Sequence, residues 1–313
     1  MNFHYVCRRC RAGDSPFRNF YRSFASTAVL EKNTFRERRE QRAQASESYL
    51  LKLTSDELNF YRDTPPPTRA QLAFANQFFA HTDHSPVHLW ASSLFRTIPP
   101  SDIPEVVFMG RSNVGKSSLI NTLVGTHIAH VSGRPGRTKE FHAYGIGGKK
   151  GGDSKLSLID IPGYGKGSQR EWGEEIMKYL VGRKQLRRVF LLINPKHGLK
   201  SNDKEILEIL RQNAVSHQLI FAKVDEVLVK GNMRQYRGFN PARLKDLARI
   251  YDRVWKTIST EVPPGPGTLE DILCCCAKIP RSSVNCLGLD ALRWEILRAA
   301  GFDSQAPSSS EKG

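Results

Sequence analysis

Gly110-Arg111-Ser112-Asn113-Val114-Gly115-Lys116-Ser117 directly follows the apolar run Val106-Val107-Phe108-Met109. The apolar run reads as a buried strand, and Gly115 to about Leu123 reads as a helix. The octet between them fits G-x-x-x-x-G-K-[ST], and a strand on one side with a helix on the other is the context that gives this pattern meaning. Its glycines let the backbone curl until several N–H groups converge. The helix N-terminus adds partial positive charge at the same point. Gly110, Arg111, Ser112, Asn113, Val114, Gly115, Lys116, Ser117 and Ser118 therefore form a candidate phosphate cradle. Lys116 is expected to reach the β- and γ-phosphates of a nucleotide, and the Ser117 hydroxyl to ligate Mg²⁺.

The pattern around this stretch predicts the rest of the fold. Phe141 to Ile146, Leu156 to Ile161, Val189 to Ile193, Leu219 to Ala222 and Ile272 to Cys275 read as further strands. Helices are expected at about Arg170 to Leu180, Asn202 to Gln212, Pro241 to Trp255 and after Gly288. Short apolar strands alternating with helices mean an α/β sheet, mostly parallel, with helices on both faces. Upstream, Thr64-Pro65-Pro66-Pro67 interrupts any helix. Thr68 reads as the N-cap of a short helix to about Ala80.

Three further motifs narrow the chemistry. Pro135-Gly136-Arg137-Thr138 places a hydroxyl in a Gly/Pro segment. Such a Thr binds Mg²⁺ and the γ-phosphate when a first switch orders. Asp160-Ile161-Pro162-Gly163 fits D-x-x-G at the end of a strong strand. Its carboxylate is expected near the metal, with the Gly163 N–H free to approach the γ-phosphate. Ser117, Thr138 and Asp160 are thus the candidate metal ligands, and Lys116, Thr138 and Gly163 the candidate catalytic groups. Lys223-Val224-Asp225 matches the core of [N/T]-K-x-D. An Asp carboxylate accepts from guanine N1–H and N2–H₂, whereas adenine presents an acceptor at N1. Ala222 stands where Asn or Thr would brace that loop, which points to looser nucleotide binding. For the last guanine-contacting loop two segments compete. Cys276-Ala277-Lys278 follows the last strand directly and is preferred over Ser282-Ser283.

With these residues in place the chain resembles the EngB-type (YihA-type) GTPases. The resemblance rests on Pro104-Glu105-Val106, the octet with Ser118-Leu119-Ile120-Asn121, Pro135-Gly136-Arg137-Thr138, and Asp160-Ile161-Pro162-Gly163-Tyr164-Gly165. His197-Gly198-Leu199-Lys200 with Asp203 extends it, and it spans about Leu89 to Ala300. It implies a three-layer, Ras-like P-loop GTPase with a six-stranded sheet, one strand antiparallel. It also implies GTP/GDP and Mg²⁺ as ligands, and help in assembling a large ribosomal subunit. Tyr164 stands where Ras-type enzymes carry a water-orienting Gln, so slow intrinsic hydrolysis is expected. Asn113 lies where potassium-stimulated relatives hold an Asn ligand. K⁺ binding and a side chain bonded to its own backbone both stay open.

The chain has 313 residues, with 47 Lys+Arg against 31 Asp+Glu and a formal charge of +16. Such a balance calls for a polyanionic partner. Residues 1 to 45 hold 10 basic and 4 acidic residues, and within them residues 1 to 30 carry Arg8, Arg9, Arg11, Arg18 and Arg22 with interspersed Ser and only one acid, Asp14. This is the pattern of a mitochondrial transit peptide, with an uncleaved basic arm as the alternative. The assembly role would then concern the mitochondrial ribosome, in the matrix. From Leu228 to Lys256 there are 8 basic and 2 acidic residues, interleaved with Tyr236, Phe239, Tyr251 and Trp255. The charges suit ribosomal RNA, while the aromatics are expected to pack inward. Arg183, Lys184, Arg187 and Arg188 form a second basic cluster that could couple nucleotide state to RNA contact.

Apolar runs such as Val189 to Ile193 are far shorter than the roughly 20 residues of a membrane span, so no transmembrane segment is expected. Six cysteines suggest a reduced interior. Cys7-x-x-Cys10 lacks a second ligand pair, and Cys274-Cys275-Cys276 would alternate faces of a strand. The expected organisation is a leader over 1–45, an extension over 46–103, a GTPase domain over 104–300 and a disordered tail over 301–313. The protein is expected to be monomeric off the ribosome. Two other classes remain open: a membrane- or division-associated switch GTPase, and a P-loop kinase or ATPase.

Overall fold

The computed structural model describes residues 53–131, 140–164, 170–229, 240–278 and 286–307, with isolated positions at 37, 38, 41 and 45. In chain order the elements are α1 (Ser55–Leu58), α2 (Arg69–Phe78), β1 (Val87–Ser92), β2 (Glu105–Gly110), α3 (Lys116–Val124), β3 (Phe141–Ile146) and β4 (Leu156–Asp160). They continue with α4 (Arg170–Gly182), β5 (Leu186–Ile193), α5 (Ser201–Gln212), β6 (His217–Ala222), α6 (Asp225–Leu228), α7 (Leu244–Glu261), β7 (Thr268–Cys275) and α8 (Leu289–Ala299).

The strands form one sheet in the order β1-β3-β4-β2-β5-β6-β7. All six expected strands are present. β3 runs antiparallel to both of its neighbours, and the other pairings are parallel. It is therefore the one reversed strand. The sheet has a seventh strand, β1, on the β3 edge. Val87 to Ser92 lies within the stretch expected to be an extension, so the boundary expected at 104 falls inside the folded unit.

Every residue of β2, β4 and β6 is buried, so their apolar residues run without alternation, and the polar ones among them, Glu105, Ser157, Asp160, His217 and Gln218, are buried as well. Side chains alternate between two core clusters. Val107 and Met109 join Ile176, Leu207 and Val254 on one face. Val106 and Phe108 join Ile120, Leu123 and Leu292 on the other. Cys274 and Cys276 fall in the first cluster and Cys275 in the second, as strand alternation requires. Thr68 caps α2 as expected, accepting from Gln71 N at 3.3 Å while Gln71 accepts from Thr68 N at 2.8 Å. Beyond α8, Phe302 packs on Phe78 at 5.2 Å and Asp303–Gln305 forms a 3₁₀ turn. The chain is thus ordered past 301, where a tail was expected to begin. Among the described residues no helix is long and apolar enough to cross a membrane.

Two arginines of the second basic cluster have a structural use. Arg183 Nη2 lies 2.6 Å from Glu105 Oε1, and Tyr179 donates to the same buried carboxylate. This ties the end of α4 to the start of β2. Arg188 pairs with buried Glu295 at 3.2 Å. A carboxylate that deep in the protein needs a partner, so these charges stay inside. Only Lys184 and Arg187 of that cluster are exposed.

Candidate functional site

β2 lies between β4 and β5, the point where the parallel strands diverge in chain order. Open α/β sheets bind ligands outside the carboxyl ends of their strands at this position. β2 ends at Gly110, whose φ is +154°. A Cβ there would lie 2.7 Å from Leu192 O, so the turn toward α3 needs glycine. Lys116 begins α3 and is buried, its Nζ donating to Gly110 O at 3.2 Å. Burial lowers its ammonium pKa, and Asp160 partly opposes that. Both are effects of a cation confined in a dry cradle.

Ser117 Oγ donates to Asp160 Oδ2 at 2.6 Å. Asp160 is the last residue of β4 and is buried, and its Oδ1 has no hydrogen-bond partner. Burial pushes its pKa above the usual carboxylate range, against Lys116, Ser117 and His142. A buried, unpaired carboxylate oxygen beside a hydroxyl is a costly arrangement on its own. It fits a small oxygen-seeking dication such as Mg²⁺, which takes one or two carboxylates plus phosphate oxygens. Gly136 and Thr138, the other expected contacts on this side, lie outside the described residues, as does Cys7-x-x-Cys10.

Gly163 meets the P-loop directly. A Cβ on it would sit 2.8 Å from both Ser112 N and Ser112 Cα, and 3.0 Å from Lys116 Nζ. Ser112 N donates to Tyr164 O at 3.1 Å, and Ser112 Oγ lies 3.4 Å from Gly163 O. The Tyr164 hydroxyl donates to Asp203 Oδ1 at 2.7 Å.

The base-recognition side is assembled from the ends of β6 and β7. Lys223 adopts φ +58°, and its Nζ donates to Asn113 O at 2.9 Å, so the loop after β6 is fastened to the P-loop. Ala222 is buried and cannot brace the loop as an amide would. Lys223 and the Val224 N to Cys275 O bond of 3.3 Å hold it instead. Asp225 opens α6. Burial, with Glu226 adding to it, pushes its pKa up to about 6. Cys276 is buried and bridged to Leu287, while the Ala277 carbonyl accepts from Thr122 Oγ1 at 3.3 Å. The preferred last loop thus reaches the second half of α3, whereas Ser282-Ser283 lies outside the described residues. A hollow of about 530 Å³ borders Ser112 to Val114 on the side of Asn194, Lys200 and Glu226.

A family model described as "50S ribosome-binding GTPase" matches residues 105–223. The "Probable GTP-binding protein EngB" of Bartonella bacilliformis is 36% identical over 211 residues, covering 64% of this chain and 86% of the relative. The chain belongs to the EngB GTPase family. The protein of the same name from Bradyrhizobium diazoefficiens is 48% identical over 145 residues, and the one from Rhodospirillum rubrum 44% over 137. Those two matches take in 44% and 42% of this EngB-family chain and span 65% and 59% of the relatives' own lengths. The crystal structure of a probable GTP-binding protein engB aligns with a TM-score of 0.41 at 20% identity, covering 63% of this chain and 98% of that one.

The sequence placed Asp203 in the family-like segment after β5 but gave it no role in the site. It lies at the third position of α5, where an acidic residue reads simply as an N-terminal cap. Lys200 N does donate to its Oδ2 at 2.9 Å. Its other partners, Tyr164 and Arg111, come from distant segments.

Proposed function

We propose that this protein binds GTP with Mg²⁺, hydrolyses it slowly on its own, and uses the nucleotide state to assist assembly of the mitochondrial large ribosomal subunit. The observation that carries the nucleotide reading is the convergence at one end of the sheet. The P-loop, the unpaired Oδ1 of Asp160 and the Lys223–Asp225 loop meet there.

In this reading the P-loop N–H groups and Lys116 hold the phosphates. Ser117 and Asp160 hold Mg²⁺, joined by Thr138 from the first switch. Mg²⁺ held by these residues would supply neutralisation of the charge that develops on the phosphates. Gly163 presents its N–H to the γ-phosphate, the group that GDP lacks. Asp225 accepts from the guanine N–H donors, Lys223 lies along the base, and Ala277 contacts its carbonyl oxygen. Tyr164 offers no amide to a water, so hydrolysis is slow until a partner acts. K⁺ at Asn113 would be an additional stimulus.

Support for a ribosomal partner comes from two directions. The family model that matches is described as ribosome-binding. Lys245, Arg249, Arg253 and Lys256 are exposed along α7, while Tyr251 and Trp255 pack inward under Phe60 and Arg62. A basic face with its aromatics withdrawn suits an RNA backbone. The mitochondrial assignment rests on residues 1–30, which hold five arginines and a single acid, Asp14. Gradient sedimentation of mitochondrial lysate with a non-hydrolysable GTP analogue tests the whole. Co-migration with large-subunit particles is expected; recovery in the membrane pellet, or absence from mitochondria, would refute it.

A further inference from the structure

We propose that Tyr164 and Asp203 are positioning residues: together they latch the D-x-x-G turn onto the P-loop and thereby set the preference of the site for GTP over GDP. This rests on the nucleotide reading above.

Asp203 is fully buried, and two segments far from it in sequence, together with its own N-terminal turn, engage its carboxylate. Tyr164 donates to Oδ1 at 2.7 Å, Lys200 N donates to Oδ2 at 2.9 Å, and Arg111 Nε lies 3.4 Å from Oδ2. Tyr164 comes directly after the D-x-x-G turn, Arg111 belongs to the P-loop, and Lys200 precedes α5. A single carboxylate therefore fixes the turn and the cradle relative to each other. Main-chain contacts add to this. Tyr164 O accepts from Ser112 N at 3.1 Å, and Tyr164 bridges Arg111.

The turn is consequently held at both ends. At its start Asp160 is bonded to Ser117, and at its finish Tyr164 is bonded to Asp203. Gly163 lies between them, pressed on Ser112 and Lys116 Nζ. Its N–H is the group that meets a γ-phosphate. Loosening the far end leaves Asp160 and the metal side in place but lets the Gly163 amide drift. GTP would lose a contact that GDP never makes. Burial raises the Tyr164 phenol above its ordinary pKa, which keeps its proton on and suits a permanent donor rather than a proton carrier.

Tyr164→Phe removes the donated bond and keeps the ring. Affinities for GDP and for a non-hydrolysable GTP analogue, both with Mg²⁺, are measured on the full chain by displacement of a fluorescent nucleotide. A hydrogen bond to a charged acceptor supports a loss of about tenfold for the analogue, with GDP affinity within about twofold on the same grounds. Asp203→Asn, which keeps the shape, is expected to shift the ratio the same way. Unchanged affinities in Tyr164→Phe would overturn the latch. So would an equal fall for both nucleotides, since that marks a purely structural role. Wild-type protein that binds neither nucleotide would instead overturn the functional reading on which the latch rests.

Discussion

Guanine recognition here should depend on pH, and Asp225 sets the dependence. Its carboxyl has a pKa of about 6 in the nucleotide-free protein, because burial and neighbouring Glu226 both disfavour the charge. Only the ionised form can accept two guanine N–H bonds. At pH 7 about nine-tenths of the molecules carry that form, and at pH 5 about one-tenth, by ordinary titration from that pKa. Affinity should thus fall about tenfold between pH 7 and pH 5, roughly 1.4 kcal/mol. The sign follows from linkage. A raised carboxyl pKa penalises the empty fold above pH 6 and relieves it below, while guanine binding favours the charged form and expels a proton. Binding at pH 6 should release about half a proton per site on the same account, which calorimetry in buffers of different ionisation enthalpy detects. The nucleotide phosphates titrate in this range as well. The quantity to follow is therefore the ratio of wild-type to Asp225→Asn affinity for GDP, in which the phosphate contribution cancels. A ratio that stays flat from pH 5 to pH 7, or turns over only near pH 4, would refute the reasoning.

Gly163→Ala should abolish most activity without unfolding the protein. The new methyl would lie 2.8 Å from Ser112 N and Cα, which are backbone and cannot swing aside. The turn must retreat by roughly half an ångström or more, and misplacement of about 1 Å can cost about 100-fold in rate. Single-turnover hydrolysis within twofold of wild type, on the scale of that principle, would disprove the close approach. Asp271→Ala should act on stability instead. It removes the acceptor of Arg62 N at 2.5 Å, Asp63 N at 2.8 Å and Thr64 Oγ1 at 2.6 Å, while Arg298 keeps its closer partner Glu295 at 2.6 Å. A loss of about 3 kcal/mol is expected, seen as a melting temperature lower by roughly 6–12 °C. An unchanged melting curve would show that the segment contributes nothing.

The nucleotide site was legible because its requirements are local. Gly110, Lys116, Ser117 and Asp160 are dictated by how a backbone must curl around phosphate, so their spacing survives in one dimension. The six expected strands were legible because each carries a short, mostly apolar buried run, such as Val106 to Met109, Val189 to Ile193 and Leu219 to Ala222. β1 was not: Val87 to Ser92 is an edge strand, only Ser92 of it is fully buried, and its register slips between His88 and Trp90. Such a strand carries neither a continuous apolar run nor a clean alternation. The charged pairs failed for a different reason. Arg183 and Arg188 resembled a solvent-facing patch because Glu105 and Glu295 lie 78 and 107 residues away in sequence. Asp203 was hidden likewise, since its role exists only where residues 111, 164 and 200 meet.

The guanine side proposed for the site draws on chain outside residues 105–223. β7 ends one sheet edge and leads into Cys276 and Ala277. An edge strand exposes a row of N–H groups unless something covers them. Here Glu270 N donates to Asp63 Oδ2 at 2.6 Å, Ile272 N to Phe60 O at 2.9 Å and Cys274 N to Asn59 Oδ1 at 2.7 Å. Alternate donors along β7 are thus satisfied by residues 59 to 63. Phe60 also stacks on Tyr251 at 4.0 Å, and Arg62 lies over Trp255 at 4.2 Å, which draws α7 onto the same seam. The two aromatics that a basic helix could have offered to RNA bases are thereby taken up in anchoring this segment. What α7 has left for a polyanion is charge alone. Contact through charge alone reads phosphate rather than sequence, and it weakens steeply with salt. The recognition that makes a ribosomal docking site specific must then come from shape, or from elements other than the described face of α7.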